Sequence, residues 1–202
     1  MFYSVEDVAS ARQTLGTLWP LLRPGLWHST PPTRYRAILD DGEIRPDGGQ
    51  GGNVYTGSLA VSMGAVSLFD FESASEEDAL GTFGKWCTHL WRPDIGTRLT
   101  VWIRLNRDQL PGRLILAKEG GERAMREGKN WYPRVEACHI GAVPDSAFTA
   151  VLAVYPCGSE ELPRGSAALP RLDELAEQYF DEPHARLLRS VSAARDRVAR
   201  GE

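Results

Sequence analysis

The chain has 202 residues, of which 42% are hydrophobic and 25% charged, so it can bury one substantial core and fits a single domain. Its formal net charge of −4 gives no overall attraction for a nucleic-acid backbone, so nucleic-acid binding would need a local basic patch. The three cysteines are widely spaced, unlike a disulfide framework, and no apolar run approaches the roughly 20 residues that span a bilayer. We therefore expect a cytoplasmic protein without membrane contact.

Helix and strand signals alternate through the first hundred residues. Capping residues, glycines and prolines mark the ends of the helices, and alternating apolar and polar residues mark the strands. The predicted elements are a helix over 4–18 ended by Pro20, a strand at Leu26–His28, a helix capped by Thr33 and ended at Gly42, a glycine-rich loop over 46–53, strands over 54–56 and 65–71, a helix from Ser73 towards Trp91, and a half-buried strand over 98–105.

Strands predominate in the second half until a helical C-terminal part. The predicted elements are strands over 114–117, 135–140 and 148–155, a polar loop over 118–132, a linker over 156–170, and helices over 172–200 interrupted near Pro183. Several non-adjacent strands with helices between and after them indicate an α+β fold. We predict one domain over 1–202, in which 1–25 form an N-terminal helical extension and 156–202 form the linker and C-terminal helices.

The strand over 135–140 carries one carboxylate among apolar neighbours. Strand alternation turns Glu136 inward or towards a cleft. A carboxylate in such surroundings is costly to bury unless it is paired or functional. Two interpretations are therefore open: a salt bridge to Arg134 or Arg104 at a sheet edge, or a functional carboxylate.

His28 lies at the end of the first strand and is followed by two hydroxyl side chains, Ser29 and Thr30. A lone histidine after a tryptophan is more often a hydrogen-bonded core residue than a catalytic one. Here Pro31 and Pro32 force a turn at once, so hydrogen-bonding groups gather where a strand ends. Ligands are often bound at such places.

The remaining motifs are weak. The glycine-rich stretch 48–52 lacks the Gly-Lys-Ser/Thr ending of a phosphate-binding loop. Cys87 with His89 and Cys138 with His139 do not have the spacing of a zinc ligand pair. We therefore predict no metal site.

Two stretches resemble proteins of the ADP-ribosyltransferase fold. Trp27-His28-Ser29-Thr30, with the helix Tyr35–Leu39 and the turn at Asp41-Gly42, is similar to the aromatic-His-x-Thr strand and short helix with which those proteins often begin. The segment 134–144, followed by the strand through 150–154, is similar to the glutamate strand of the DNA-thymidine ADP-ribosyltransferase toxins. The resemblance implies a central split sheet of mixed or antiparallel strands, flanking helices and a C-terminal helical segment.

The resemblance also implies roles for individual residues. His28 would hold NAD at the adenosine ribose or on the nicotinamide side, and Ser29 and Thr30 would add hydrogen bonds. Glu136 would hold the nicotinamide ribose and stabilise an oxocarbenium-like centre as nicotinamide leaves. His28 and Glu136 are thus the expected catalytic residues.

Two further parts of the implied site are less defined. Either Tyr55 or Ser67 would stack on or orient nicotinamide, and the sequence does not decide between them. The segment before the glutamate usually contacts the acceptor in this fold, and here basic groups with aromatics suit a single-stranded nucleic acid. The residues given this role are Arg126, Lys129, Trp131 and Tyr132. The alternative interpretation is a solvated charged loop with one aromatic anchor.

The expected function is therefore transfer of ADP-ribose from NAD to a macromolecular acceptor, either a nucleic acid or a protein. A sharper hypothesis, a toxin or defence enzyme with an antitoxin or immunity protein as its partner, rests on fold-level analogy. Two alternatives are a non-catalytic module that binds a nucleotide or a partner through the same cleft, and an NAD glycohydrolase in which water replaces the acceptor.

Overall fold

The computed structural model describes residues 5–46, 57–82, 86, 89–90, 97–156 and 158–180. The helices are α1 (Val5–Leu22), α2 (Pro32–Asp41), α3 (Leu59–Ser62), α4 (Glu76–Gly81), α5 (Ala117–Glu127) and α6 (Leu169–Gln178). The strands are β1 (Leu26–Thr30), β2 (Glu43–Ile44), β3 (Ala65–Asp70), β4 (Thr100–Leu105), β5 (Leu114–Ile115), β6 (Glu136–Ile140), β7 (Val143–Pro144), β8 (Phe148–Tyr155) and β9 (Gly158–Leu162).

Seven strands form one sheet in the order β5-β6-β3-β1-β4-β8-β9, and β2 pairs with β7 separately. Neighbouring strands of the large sheet pair antiparallel, and helices flank it, which confirms the α+β class. Five residue pairs join β3 to β6 and five join β1 to β4. The described ladder between β1 and β3 has only two pairs, Leu26 with Asp70 and Trp27 with Phe69.

Apolar side chains cover both faces of this sheet. One face is aromatic and packs against α1 and against Ala74, Ala79, Trp86 and Leu90; its other buried residues include Leu15, Leu18, Trp19, Leu22, Trp27, Phe69, Phe71, Trp102 and Leu152. The other face is aliphatic and packs against α2 and α6; its buried residues include Leu26, Tyr35, Ile38, Leu68, Val101, Ile103, Val151, Leu172 and Leu175. Of the helices in the described part of the chain, none has the length and apolarity needed to cross a membrane.

Strand β4 is buried on both faces, so the prediction of a half-buried strand was wrong. It lies between β1 and β8 rather than near an edge of the sheet. Trp102, on the face expected to be polar, has no exposed surface and packs among the aromatic residues. Central position in a sheet with two covered faces therefore overrides the alternation in the sequence.

The first two helices have different ends from those predicted. Helix α1 continues past Pro20 to Leu22. The proline removes only one helical hydrogen bond, and the buried Leu22 holds the last turn against the sheet. Helix α2 begins with Pro32, where a missing amide hydrogen is harmless, and no side chain caps it. The prediction that Thr33 caps this helix was therefore wrong.

Helix α4 is capped two residues later than predicted. Ser75, not Ser73, forms a reciprocal capping box with Asp78. The helix ends at Gly81, so it does not itself continue towards Trp91 as expected. Residues 83–85, 87–88 and 91–96 lie outside the described residues, as does the strand predicted over 54–56.

The segment predicted as a polar loop over 118–132 is mostly helical, because α5 runs through it and ends at Gly128 with φ 63°. The pair Gly120-Gly121 lowers the helix propensity and concealed the element. Packing explains the first glycine: a Cβ at Gly120 would lie 2.1 Å from Cζ2 of Trp131. The glycine therefore lets the tryptophan ring rest on the helix backbone.

The linker predicted over 156–170 contains β9 and the start of α6, so this prediction was wrong. Strand β9 lies at the edge of the sheet, where carboxylates such as Glu160 and Glu161 are tolerated, and it shows no clear apolar alternation. The predicted C-terminal helix is confirmed from Leu172 to Gln178. Residues 181–202 lie outside the described residues.

Candidate functional site

The site centres on Glu136, the first residue of β6. Phe69 of β3 pairs with Glu136, and Ser67 lies two residues earlier on β3, so Ser67 and Glu136 point to the same face of the sheet. The Ser67 hydroxyl donates to Glu136 Oε1 at 2.8 Å. Of the two residues proposed to line the nicotinamide site, Ser67 therefore lies beside the glutamate, whereas Tyr55 falls outside the described residues.

Glu136 is 2% exposed and accepts a second hydrogen bond, from the Tyr132 amide to Oε2 at 2.6 Å. Burial raises the pKa of this carboxyl to about 7, because the charged form loses water, and the two hydrogen bonds oppose that rise. At neutral pH the ligand-free protein thus contains both the protonated and the ionised form.

The salt-bridge interpretation of Glu136 was wrong. Arg134 Nη1 bonds Asp78 Oδ1 at 2.9 Å, and Arg104 Nε bonds the Thr149 hydroxyl at 3.1 Å. Within the described ranges, no cation forms an ion pair with the glutamate. Glu136 is therefore a buried carboxylate whose hydrogen-bond donors are neutral, and a buried carboxylate with a raised pKa is a candidate for a functional role.

His28 on β1 is half-buried, and its Nδ1 lies 3.0 Å from the Ser67 carbonyl oxygen. A carbonyl oxygen only accepts, so Nδ1 carries the proton and donates it. The ring makes this contact just beyond the short ladder between β1 and β3, which stops at Trp27 and Phe69. Ser67 thus contacts His28 through its carbonyl and Glu136 through its hydroxyl.

The two residues after His28 are both buried. The Ser29 hydroxyl lies 3.0 Å from His89 Nδ1, and His89 Nε2 lies 3.0 Å from the Tyr132 hydroxyl. Thr30 is 3% exposed. Sequence reasoning considered His89 only as a zinc ligand and missed this position, since nothing in the spacing connects residues 29, 89 and 132.

No protein-family model, curated protein or solved structure significantly matches this chain. Support for a function therefore comes from the site residues, their geometry and the resemblance in the sequence.

The residues predicted to bind an acceptor are divided by the structure. Arg126 and Lys129 are exposed at and after the end of α5. Trp131 is 9% exposed, and its Nε1 donates to the Ala117 carbonyl at 3.2 Å, so its ring packs against α5 and does not offer a stacking surface for a base. Tyr132 is half-buried and faces the glutamate site through its amide.

Other reactive groups near the site do not suggest a different chemistry. Burial, reinforced by the charge of Glu136, raises the pKa of the Cys138 thiol to about 12, so this thiol is a poor nucleophile. The described part of the chain contains no group of three or more histidine, cysteine or carboxylate side chains arranged to hold a metal ion. The available chemistry is that of one buried carboxylate, with histidines and hydroxyls nearby.

Proposed function

We propose that this protein is an NAD-dependent ADP-ribosyltransferase that modifies a macromolecular acceptor. The observation that carries the proposal is the double contact of Ser67, which bonds His28 through its carbonyl and Glu136 through its hydroxyl. These three residues lie on the adjacent strands β1, β3 and β6. The resemblance in the sequence requires His28 and Glu136 to serve one substrate, and Ser67 contacts both, His28 from the face of Ile103 and Glu136 from the face of Phe69.

Glu136 supplies the chemistry of the proposed reaction. The bond between nicotinamide and C1′ of its ribose breaks, the bonding electrons leave with nicotinamide, and positive charge develops on the ribose. An ionised carboxylate beside that charge stabilises the transition state more than the ground state, and burial strengthens the interaction. The acceptor nucleophile then bonds to C1′, and its proton passes to Glu136.

His28 and Ser67 orient the reactants in this proposal. His28 binds the NAD ribose or carboxamide through its ring, and Ser67 holds Glu136 Oε1 in place. Because only the ionised form of Glu136 stabilises the developing charge, NAD turnover rises as the pH passes through about 7, the pKa of this carboxyl. An enzyme that used neutral Glu136 would show the opposite dependence.

Labelled NAD tests the proposal directly. The full chain is incubated with adenylate-labelled NAD and with single-stranded DNA, RNA or a protein mixture, and both labelled macromolecules and free nicotinamide are measured. We expect Glu136→Gln to lower kcat/KM for NAD by roughly 100-fold or more. Glu161→Gln, at an exposed carboxylate on β9, is the matched control and should retain activity.

The products separate this function from its alternatives. Free ADP-ribose without a labelled macromolecule identifies an NAD glycohydrolase, and calorimetric binding of NAD without nicotinamide release identifies a non-catalytic module. Loss of growth in cells that express the wild type, but not Glu136→Gln, supports the toxin or defence role. The proposal fails if the wild type neither binds nor cleaves NAD, or if Glu136→Gln cleaves it at the wild-type rate.

A further inference from the structure

We propose that His89 is a positioning residue for Glu136 and acts through Tyr132. This inference deepens the proposed function, since Glu136 is the catalytic residue of that proposal. It assigns a role to a buried histidine that lies more than forty residues along the chain from the glutamate.

His89 connects two parts of the site. It is 8% exposed, and its two ring nitrogens each lie 3.0 Å from a hydroxyl, Ser29 Oγ on one side and Tyr132 Oη on the other. Its ring also stands edge-on to Phe69 and Tyr132, with centroid distances of 5.1 and 5.3 Å. Because both hydroxyls can donate or accept, either neutral tautomer of His89 satisfies both bonds.

Tyr132 transmits this contact to the carboxylate. Its amide donates to Glu136 Oε2, while its carbonyl accepts the Glu136 amide at 3.0 Å, so a closed turn joins the two residues. Within the turn, Arg134 has φ 70°, a left-handed conformation that residues other than glycine adopt rarely. The start of this turn is held by the contacts of the Tyr132 side chain with His89 and Phe69. Its end is held by strand β6.

The two oxygens of Glu136 are therefore held by independent elements. Oε1 is held by Ser67 of β3, and Oε2 depends on the turn that His89 supports. The other titratable group on this face of β6 is the Cys138 thiol. The charge of Arg123 on α5 lowers the pKa of this thiol, and the charge of Glu119 on α5 raises it. Since the Tyr132 hydrogen bond favours the ionised form of Glu136, loosening the turn shifts the carboxyl titration to higher pH.

The test follows the Glu136 carboxyl by NMR in protein with 13C-labelled glutamate, with the signal assigned by its loss in Glu136→Gln. We expect His89→Ala to raise the titration midpoint by about one pH unit, the loss of roughly one hydrogen bond to a charged group. Tyr132→Phe should shift it in the same direction. His89→Gln, which can still bond the Tyr132 hydroxyl, should shift it less than His89→Ala.

Controls separate positioning from general damage. Tyr155→Phe removes a hydroxyl from the stacked pair formed by Tyr155, the last residue of β8, and Tyr179, which follows α6, and it should leave the midpoint unchanged. Circular dichroism checks folding; if His89→Ala does not fold, Tyr132→Phe and His89→Gln decide. Wild-type midpoints in the folded variants of His89 and Tyr132 would overturn the inference.

The NMR titration needs no NAD, so the inference and the proposed function can fail separately. If the midpoint moves but the wild type does not cleave NAD, the proposed function fails and the His89 contact still positions Glu136. If NAD is cleaved but the midpoint does not move, the inference fails alone. If both hold, the pH profile of NAD turnover in His89→Ala moves towards higher pH together with the carboxyl titration.

Discussion

Replacing Glu136 with glutamine should make the folded protein more stable at neutral and alkaline pH. The side chain is 2% exposed, and burial holds its pKa at about 7 instead of the ordinary 4.5. Between these two values the native protein keeps a proton that the unfolded chain has released, so the free energy of unfolding falls as the pH rises. Above pH 7 the native carboxylate is ionised and the whole stability contribution is lost.

The two pKa values give the size of the effect. The pKa of this carboxyl is 4.5 in the unfolded chain and about 7 in the native protein. At roughly 1.4 kcal/mol for each pH unit between the two values, ionising the buried carboxyl destabilises the native protein by about 3 kcal/mol. Glutamine has the shape of the protonated acid and fits the same partners. Its carbonyl oxygen can accept from the Tyr132 amide, and its NH₂ group can donate to the Ser67 hydroxyl, which also accepts.

Urea unfolding at a series of pH values from 5 to 8.5 measures this difference. Glu136→Gln should be more stable than the wild type by about 1 kcal/mol or less at pH 5 and by about 3 kcal/mol at pH 8.5. Glu161→Gln controls for the change of net charge. A constant difference across the series, or a more stable wild type at pH 8.5, would refute the argument that burial raises the Glu136 pKa.

Two further predictions concern packing and thiol reactivity. Gly120→Ala should lower the free energy of unfolding by about 1 to 3 kcal/mol, because the new Cβ would overlap the Trp131 ring. Gly121→Ala, whose Cβ would lie 3.7 Å from that ring, should be neutral or stabilising in urea unfolding, and equal losses would contradict the packing argument. Cys138, with its pKa raised to about 12, should resist iodoacetamide at pH 8 in the native protein and react in urea, as followed by peptide mass mapping; rapid native labelling would contradict its burial.

Elements with strong local patterns could be predicted from the sequence. Strand β8 was predicted with its observed bounds, Phe148–Tyr155, because it is a long apolar run between clear turn signals. The end of α2 at Gly42, with φ 71°, follows from the same kind of local rule. Glu136 was also correctly placed on a strand facing inward, because strand alternation needs only neighbouring residues.

Elements defined by contacts distant in sequence could not be predicted. Helix α5 contains two glycines, and the reason for Gly120 is the ring of Trp131, which no local pattern reveals. Strand β9 is polar because it lies at an edge, and its position depends on pairing with β8. In both cases the deciding interaction joins residues that composition and periodicity treat separately.

The candidate site, like the fold, could be predicted only in part from the sequence. Its residue types were chosen from the sequence, but the choice of Ser67 as a neighbour of Glu136 depends on β3 lying between β1 and β6. The Tyr132 amide could not be singled out from the sequence, because every residue except proline has a backbone N–H group. Its role comes from the turn that ends at Glu136, and only the folded chain shows that turn.

The order of strands around the site determines when the site can exist during synthesis. Strand β1 ends at Thr30 and β3 at Asp70, yet β6, which pairs with β3, begins only at Glu136. The three strands come from distant parts of the chain, so their pairing closes long loops and is slow compared with local helix formation. A ribosome-bound chain has to expose nearly 140 residues before His28, Ser67 and the carboxylate can meet, so the shorter nascent chains lack a complete site.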